Sequence, residues 1–172
     1  MNYCNIKRRD IADGIGVRVT LFVSGCTHHC KGCFQPETWD FAYGRPFDEA
    51  AAELIFSELG QSFVNGLTLL GGEPFEPDNQ RGLLPLLRTV KARFPDKTVW
   101  AYSGYTWEEL TEESRARCET TDEMLSLIDV LVDGEFVEEQ KDITLRFRGS
   151  ANQRILDVPR SLRAAAPVAW EG

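Results

Sequence analysis

Three cysteines stand within eight residues of this 172-residue chain, at Cys26, Cys30 and Cys33, directly after a predicted strand over residues 17–23. In a reducing compartment such close spacing indicates a metal or catalytic site in preference to disulfides. Three thiolates are one fewer than a closed four-ligand site needs. A 4Fe-4S cluster held by only three cysteines leaves one iron free to bind a small molecule. The spacing therefore favours a fold that places an open metal site at the end of a strand.

Charge and composition exclude several classes of function. Lysine and arginine total 19 against 27 acidic residues, a net charge of −8, so we expect no nucleic-acid partner. Residues 1–10 lack an apolar signal core, and no window approaches the roughly 20 apolar residues that cross a bilayer. We therefore expect a cytoplasmic protein without a membrane partner. The 42% hydrophobic content suits one domain over residues 1–172, with a loose tail from about residue 161.

Strand and helix patterns alternate along the chain. Apolar and β-branched runs predict strands over residues 17–23, 66–70, 98–102 and 128–132. Helical periodicity covers residues 48–59 and 81–94, and in the second helix we expect Pro85 in the first turn, where proline is tolerated. Two Thr-x-x-Glu sequences, beginning at Thr106 and Thr120, predict two further helix starts.

This alternation indicates an α/β fold with a mostly parallel sheet of βα units. A complete eight-unit barrel needs roughly 250 residues, so a chain of 172 is too short to close one. We expect the sheet to stay open at one side.

Glycine or polar residues follow each predicted strand. The cysteines follow the first strand, residues 71–74 the second, Ser103 and Gly104 the third, and residues 133–134 the fourth. Because the carboxyl ends of parallel strands meet at one edge of a sheet, we expect these four loops to converge. In the second loop the paired glycines allow close backbone approach to a ligand, and Pro74 favours an extended Glu73. That loop suits a cationic amine.

A closed zinc site is the alternative for the cysteines. His28 or His29 would then supply the fourth ligand of a Cys3His site. The adjacent histidines would have to fold back between the first two cysteines, and no second ligand pair follows, so we favour exposed polar loop residues for both. Cys4 and Cys118 have no partner at ligand spacing and are expected to be ordinary thiols.

The order of these motifs resembles the radical SAM superfamily, which has C-x3-C-x2-C after the first strand and a Gly-Gly-Glu-Pro-like segment after the second. More specifically, the chain is similar to the activating enzymes of class III anaerobic ribonucleoside-triphosphate reductases. The resemblance runs from about residue 3 to residue 158 and rests on these segments: residues 13–18, 22–26, 32–34, 71–74, 103–105, 132–134, 148–150 and 152–153.

The resemblance implies an open partial (βα) barrel of radical SAM type. It also implies an oxidoreductase that activates a glycyl-radical enzyme, with Cys26, Cys30 and Cys33 ligating a 4Fe-4S cluster whose fourth iron is bound by S-adenosylmethionine (SAM). Reductive cleavage of SAM gives methionine and a 5'-deoxyadenosyl radical, which abstracts a glycine α-hydrogen in the large reductase subunit. No catalytic residue beyond the cluster and SAM ligands is implied.

Three groups of residues are implied to bind SAM. Those around the third cysteine lie along it: Gly32, Cys33 and Phe34. Gly72 and Glu73 meet its methionyl ammonium. Ser103 and Asp133 face the nucleotide, and Asp133 alternatively holds a monovalent cation. Gly32 stands where the superfamily often has an aromatic residue, as is common in the reductase activating enzymes.

The implied partners are the large catalytic subunit of the reductase and an external electron donor such as flavodoxin, because the sequence has no additional ferredoxin-like cysteine set. Two alternatives keep SAM cleavage and change the substrate, to another glycyl-radical enzyme or to a small molecule such as a deazaguanine precursor. A third alternative is a zinc-stabilised binding module.

Overall fold

Seven strands form one sheet at the centre of the computed structural model, which describes residues 1–172. They are β1 (Asn2–Asp10), β2 (Val17–Val23), β3 (Arg45–Pro46), β4 (Val64–Gly71), β5 (Thr98–Ser103), β6 (Val130–Asp133) and β7 (Arg154–Asp157). Their order across the sheet is β3-β1-β2-β4-β5-β6-β7.

The four central strands β2, β4, β5 and β6 are parallel to one another. At the two ends of the sheet β1, β3 and β7 pair antiparallel to their neighbours. Because β3 and β7 lie at opposite ends and do not pair, the sheet is not closed. The predicted α/β class, parallel central sheet and open side are confirmed.

Five α-helices connect and cover the strands: α1 (Glu49–Leu59), α2 (Pro77–Arg93), α3 (Trp107–Thr111), α4 (Thr121–Ser126) and α5 (Val158–Ala164). Asp48 caps α1 by accepting a hydrogen bond from the backbone N–H of Ala51. Thr106 forms the predicted capping box with Glu109 at the start of α3. Thr120 also precedes a helix, but its side chain makes no cap hydrogen bond. None of the helices combines the length and apolar character that crossing a bilayer requires.

The predicted start of α2 was wrong. The helix begins at Pro77, so Pro85 lies in its interior and not in the first turn. Pro77 suits the first helical position because the N–H that proline lacks would have no partner there. Pro85 removes one intrahelical hydrogen bond, and its exposed position lets water satisfy the carbonyl that is left without a partner.

The end of the chain makes contacts that the sequence did not predict. After α5, the backbone of residues 168–170 runs beside β7: the Asp157 N–H donates to the Val168 carbonyl and the Trp170 N–H donates to the Ile155 carbonyl, both at 2.9 Å. The Trp170 ring packs edge-on against Trp100, with ring centroids 5.0 Å apart. Residues 168–170, within the segment for which we expected a loose tail, thus lie along the edge of the sheet.

The two faces of the sheet differ in chemistry. Alternate residues of β2, Val19, Leu21 and Val23, belong to the main core of 29 buried residues, which also includes side chains from the helices. On the other face, Trp100 forms a smaller buried cluster with residues of β6. The fully buried side chain of Arg18 packs against the Trp100 ring on this second face.

Arg18 ties three central strands together. Its guanidinium donates to the Thr68 hydroxyl at 2.7 Å, to the Leu67 carbonyl at 2.8 Å, and to the carbonyl and hydroxyl of Thr98 at 2.9 and 3.1 Å. A further bond, of 3.1 Å, goes to the Ile15 carbonyl. Burial lowers the pKa of Arg18 to about 10, but the group stays protonated at neutral pH. Its donors are all used, which makes its burial tolerable.

We predict that Arg18→Met lowers the free energy of unfolding by about 3 kcal/mol, because it leaves several buried acceptors without donors. Anaerobic urea unfolding followed by circular dichroism measures this loss. Arg163→Met, at an exposed position on α5, is the control and should change stability by less than about 0.5 kcal/mol. Equal stability of the Arg18 variant and the wild type would contradict the role given to this residue.

Candidate functional site

The carboxyl ends of β2, β4, β5 and β6 border one cavity of about 380 Å³. Small-molecule sites have volumes of about 300–1,000 Å³, so the cavity has a suitable size for a ligand. Its wall includes residues from all four loops that follow these strands: Cys26, Cys30, Cys33, Gly72, Glu73, Ser103, Gly104 and Gly134. The structure therefore brings together the loops that the sequence predicted to converge.

All three cysteines of the run line this cavity. Cys26 is buried, and Cys30 and Cys33 are half-buried. The backbone of residues 38–39 holds the start of their loop, since Gly25 and Cys26 donate to the carbonyls of that segment at 2.7 and 3.2 Å. A backbone bond of 3.1 Å from Cys33 to Cys30 forms the turn between the last two cysteines.

The donor set fits a cluster better than a single ion. No three His, Cys, Asp or Glu side chains are grouped closely enough to hold one metal ion. In a 4Fe-4S cluster each cysteine ligates its own iron, so the thiols need only line a common cavity. Burial and the nearby Glu73 charge raise the pKa of Cys26 to about 12, so this thiol becomes a thiolate most readily by bonding to a metal.

Glu73 is almost fully buried, with 1% of its surface exposed. One carboxylate oxygen accepts from the Phe75 N–H at 2.8 Å and the Ser103 hydroxyl at 2.9 Å. The other accepts from the Gly104 N–H at 2.7 Å and lies 3.1 Å from Nε2 of His28. These four partners fix the direction of the carboxylate on the cavity wall.

Gly72 stands where no side chain fits. A Cβ at this position would lie 2.6 Å from the Gly25 carbonyl oxygen and 3.0 Å from that of Thr38. The close approach allows two backbone bonds of 2.8 Å, from the Gly72 N–H to the Val23 carbonyl and from the Glu73 N–H to the Gly25 carbonyl. These bonds join the loop after β4 to the loop that carries the cysteines.

The expectation that His28 is an exposed loop residue was wrong. Its side chain is only 3% exposed and lies between two carboxylates, with Nδ1 2.6 Å from Glu135 and Nε2 3.1 Å from Glu73. Burial alone would lower the pKa of His28, but hydrogen bonds and charge from these carboxylates outweigh burial and raise it to about 9. Because both ring nitrogens have partners, His28 has no free nitrogen to act as the fourth ligand of a zinc site.

His29 is exposed, as expected, and its ring stacks on Trp39 with centroids 4.5 Å apart. It does not line the cavity. The two adjacent histidines therefore have different environments, one inside the wall and one on the surface.

The residues beside the third cysteine lie at the rim. Phe34 lines the cavity but is 66% exposed, and its ring packs against Phe136 with centroids 5.1 Å apart. Gly32 is not among the lining residues; it has a φ of +74°, which favours glycine and allows the tight turn before Cys33.

Ser103 and Asp133 have different positions. Ser103 lines the cavity, but its hydroxyl is already donated to Glu73. Asp133 is 1% exposed and does not line the cavity. Its carboxylate accepts from the Trp107 N–H at 2.6 Å and from Nε of Arg154 at 2.9 Å. Partners within the protein thus hold the Asp133 carboxylate at the end of β6.

Sequence reasoning assigned no role to several lining residues: Asp13, Tyr102, Phe136 and Gln153. The Gln153 side chain accepts from the Gly149 N–H at 2.8 Å and donates to the Gly134 carbonyl at 3.0 Å. It joins the loop after β6 to the segment before β7. The sequence did carry a signal for Tyr102. Side chains alternate along β5, so Tyr102 lies on the sheet face opposite Ala101, whose side chain belongs to the main core.

Comparison with known proteins places the chain among iron–sulfur proteins: the family described as "4Fe-4S single cluster domain" matches residues 12–156. An anaerobic ribonucleoside-triphosphate reductase-activating protein of Haemophilus influenzae is 45% identical over 157 residues, covering 90% of this chain and 97% of the relative. The same-named protein of Escherichia coli K12 is 41% identical over 155 residues, covering 89% and 96%. That of Enterobacteria phage T4 is 39% identical over 155 residues, covering 90% and 93%.

The chain belongs to the family of anaerobic ribonucleoside-triphosphate reductase-activating proteins. The family predicted from the motifs is thus confirmed.

Asp13 contributes an acidic group to the cavity wall. Burial and its neighbour Asp10 raise the pKa of Asp13 to about 7. Asp10 accepts hydrogen bonds from the Thr20 hydroxyl at 2.9 Å and the Ala12 N–H at 3.0 Å, so it is the better stabilised of the two as a carboxylate. Asp13 therefore keeps its proton to a higher pH than an ordinary aspartate.

We predict that Asp13→Asn stabilises the protein more at pH 8 than at pH 4. Between the ordinary aspartate pKa and about 7 the folded state holds a proton that the unfolded chain has lost, so wild-type stability falls as pH rises through this window. Asparagine stays neutral, so the variant avoids this fall. Allowing for partial exposure, the gain at pH 8 should be about 1–3 kcal/mol.

Urea unfolding at several pH values measures the difference. Asp96→Asn, at an exposed position, is the control and should give a curve parallel to the wild type. Parallel curves for Asp13→Asn as well would show that this carboxyl titrates normally.

Proposed function

We propose that the chain activates an anaerobic ribonucleoside-triphosphate reductase by cleaving SAM and generating a glycyl radical in the large subunit of that enzyme. We further propose that residues 1–172 form a single radical SAM domain whose open sheet is a partial (βα) barrel. One observation carries the proposal: a single cavity is lined by all three thiols of the C-x3-C-x2-C run and by Gly72 and Glu73. The names of the relatives support the choice of reductase.

When bound, a 4Fe-4S cluster with one iron left for SAM would supply the electron for reductive cleavage of SAM. The products would be methionine and a 5'-deoxyadenosyl radical able to abstract a glycine α-hydrogen. In this proposal Cys26, Cys30 and Cys33 are its protein ligands. Backbone bonds to residues 38–39 hold the loop at its first cysteine.

Gly72 and Glu73 would receive the methionyl end of SAM. Gly72 lines the cavity, and the absence of a side chain there lets this loop pack directly against the loop that carries the cysteines. The Glu73 carboxylate, fixed by four partners, offers a negative charge that an ammonium group can approach without reorienting it. Ser103 would face the nucleotide side of SAM, and its hydroxyl also orients the Glu73 carboxylate.

Gly32 and Phe34 would flank the remainder of SAM, with Gly32 shaping the turn and the exposed Phe34 ring at the rim. Asp133 would stand on the nucleotide side of SAM or hold a monovalent cation, and its bonds to Arg154 and Trp107 would fix its carboxylate at the end of β6. An external donor such as flavodoxin would supply electrons, and the protein would work in the cytoplasm.

We predict that the anaerobically reconstituted, reduced protein converts SAM to 5'-deoxyadenosine and methionine, measured by liquid chromatography. Addition of the large reductase subunit should produce a glycyl radical signal in electron paramagnetic resonance. No cleavage by protein with a full cluster would contradict SAM chemistry. Cleavage without a glycyl radical would indicate a different substrate, and stoichiometric zinc without iron would indicate a zinc module.

We predict that Cys30→Ala loses the cluster absorbance and SAM cleavage together, because it removes one of three ligands. Cys118→Ala is the matched control: Cys118 is half-buried beside Gln80 and Thr120 and lines no part of the cavity, so iron content and cleavage should stay at wild-type levels. Wild-type turnover by the Cys30 variant would contradict its assignment as a ligand.

A further inference from the structure

One buried imidazole contacts the loops after three different strands. His28 itself lies in the cysteine loop, after β2. Its Nε2 lies 3.1 Å from Glu73 in the loop after β4, and its Nδ1 lies 2.6 Å from Glu135 in the loop after β6. Its ring packs on Tyr105, after β5, with centroids 4.3 Å apart.

The space around the ring is closely filled. A Cβ added to Gly104 would lie 2.7 Å from the His28 ring, so the backbone after β5 touches the imidazole directly. With 3% of its side chain exposed, the ring has little freedom to move. Its position is therefore set by all three neighbouring loops.

Among the four partners of the Glu73 carboxylate, His28 alone belongs to the cysteine loop. The others are the Phe75 N–H, from the same loop as Glu73, and the hydroxyl of Ser103 and N–H of Gly104, from the end of β5 and its loop. The His28 contact is thus the hydrogen bond that joins this carboxylate directly to the cysteine loop. Thr27 with Glu76, and Asn79, join the same two segments at other atoms.

We propose that His28 is a positioning residue for SAM: it holds the Glu73 carboxylate at a fixed distance from the cysteine loop. This inference rests on the proposed function, in which SAM is held at two points, at the open iron and at Glu73. A ligand held at two points binds tightly only when their separation matches its own length, because any mismatch must be corrected on binding. Glu135 supports this role by holding the second nitrogen of the ring.

The test compares SAM affinity across variants reconstituted to equal iron content, using equilibrium dialysis with radiolabelled SAM. His28→Phe keeps a flat ring over Tyr105 but loses both polar contacts, so the Kd for SAM should rise about tenfold to a hundredfold. His28→Gln can restore one donor to Glu73, so its Kd should lie between those of His28→Phe and the wild type. Glu135→Ala should raise the Kd by about threefold, as an exposed support.

The neighbouring residue provides the control. His29→Asn tolerates the left-handed backbone of this position, where φ is +52°, and lies outside the cavity, so its Kd should stay within about twofold of the wild type. At saturating SAM the cleavage rate of His28→Phe should stay within about threefold of the wild type while its KM rises with Kd. General structural damage would instead lower the rate and the iron content.

Three outcomes decide the inference. An unchanged Kd in His28→Phe with a full cluster overturns it while leaving the proposed function intact. If His28→Phe cannot hold a cluster, unchanged Kd values in His28→Gln and Glu135→Ala overturn it in the same way. A wild-type protein that holds the cluster but binds no SAM overturns the proposed function, and the role of His28 with it.

Discussion

The arrangement of this site depends on the hydrogen bonds that the buried Glu73 carboxylate accepts. A carboxylate with 1% exposure must have its hydrogen-bonding capacity satisfied, since an unpaired buried charge is very costly. Its partners come from its own loop, from Ser103 and Gly104 at the end of β5, and from His28 after β2. Satisfying one charged group therefore fixes three strand-end loops relative to one another, and the cavity is the space that remains between them.

The opposite end of the sheet follows the same physical rule. Arg18 is fully buried and donates to groups on β4 and β5, as well as to the loop before its own strand. Glu73 and Arg18 thus lie at opposite ends of the parallel strands, and each has partners on neighbouring strands or the loops that follow them. The helices then cover the apolar face through the main core, and the other face keeps its polar groups and the cavity.

Hydrophobic periodicity in the sequence predicted the strands and helices that bury one regular face. Strand β2 was predicted with its observed bounds, and α1 begins one residue later than the helical periodicity indicated. Strand β1 was not predicted. It lies near the edge of the sheet and pairs along its length only with β2, and its exposed charges at Lys7, Arg8 and Arg9 interrupt the alternation of apolar and polar residues. The convergence of the four loops was predictable because parallel strands fix where their carboxyl ends lie.

Side-chain environments were less predictable, because they depend on partners distant in sequence. His28 is buried through contacts with residues 45 and 107 positions away, and nothing in the run of cysteines indicates either one. Asp133 lies at the end of its strand as expected, yet its carboxylate is buried and bonds to Arg154, 21 positions further along. The motif thus predicted which loops meet, and the tertiary contacts decided which side chains line the site.

In the proposed function, three cysteines leave one iron of a cluster open to SAM. Mössbauer spectroscopy of protein reconstituted with ⁵⁷Fe, recorded before and after addition of SAM, tests this most directly. We predict that one iron in each cluster changes its isomer shift when SAM binds while the other three keep theirs. Spectra in which every iron is already fully ligated by the protein and unaffected by SAM would contradict the account.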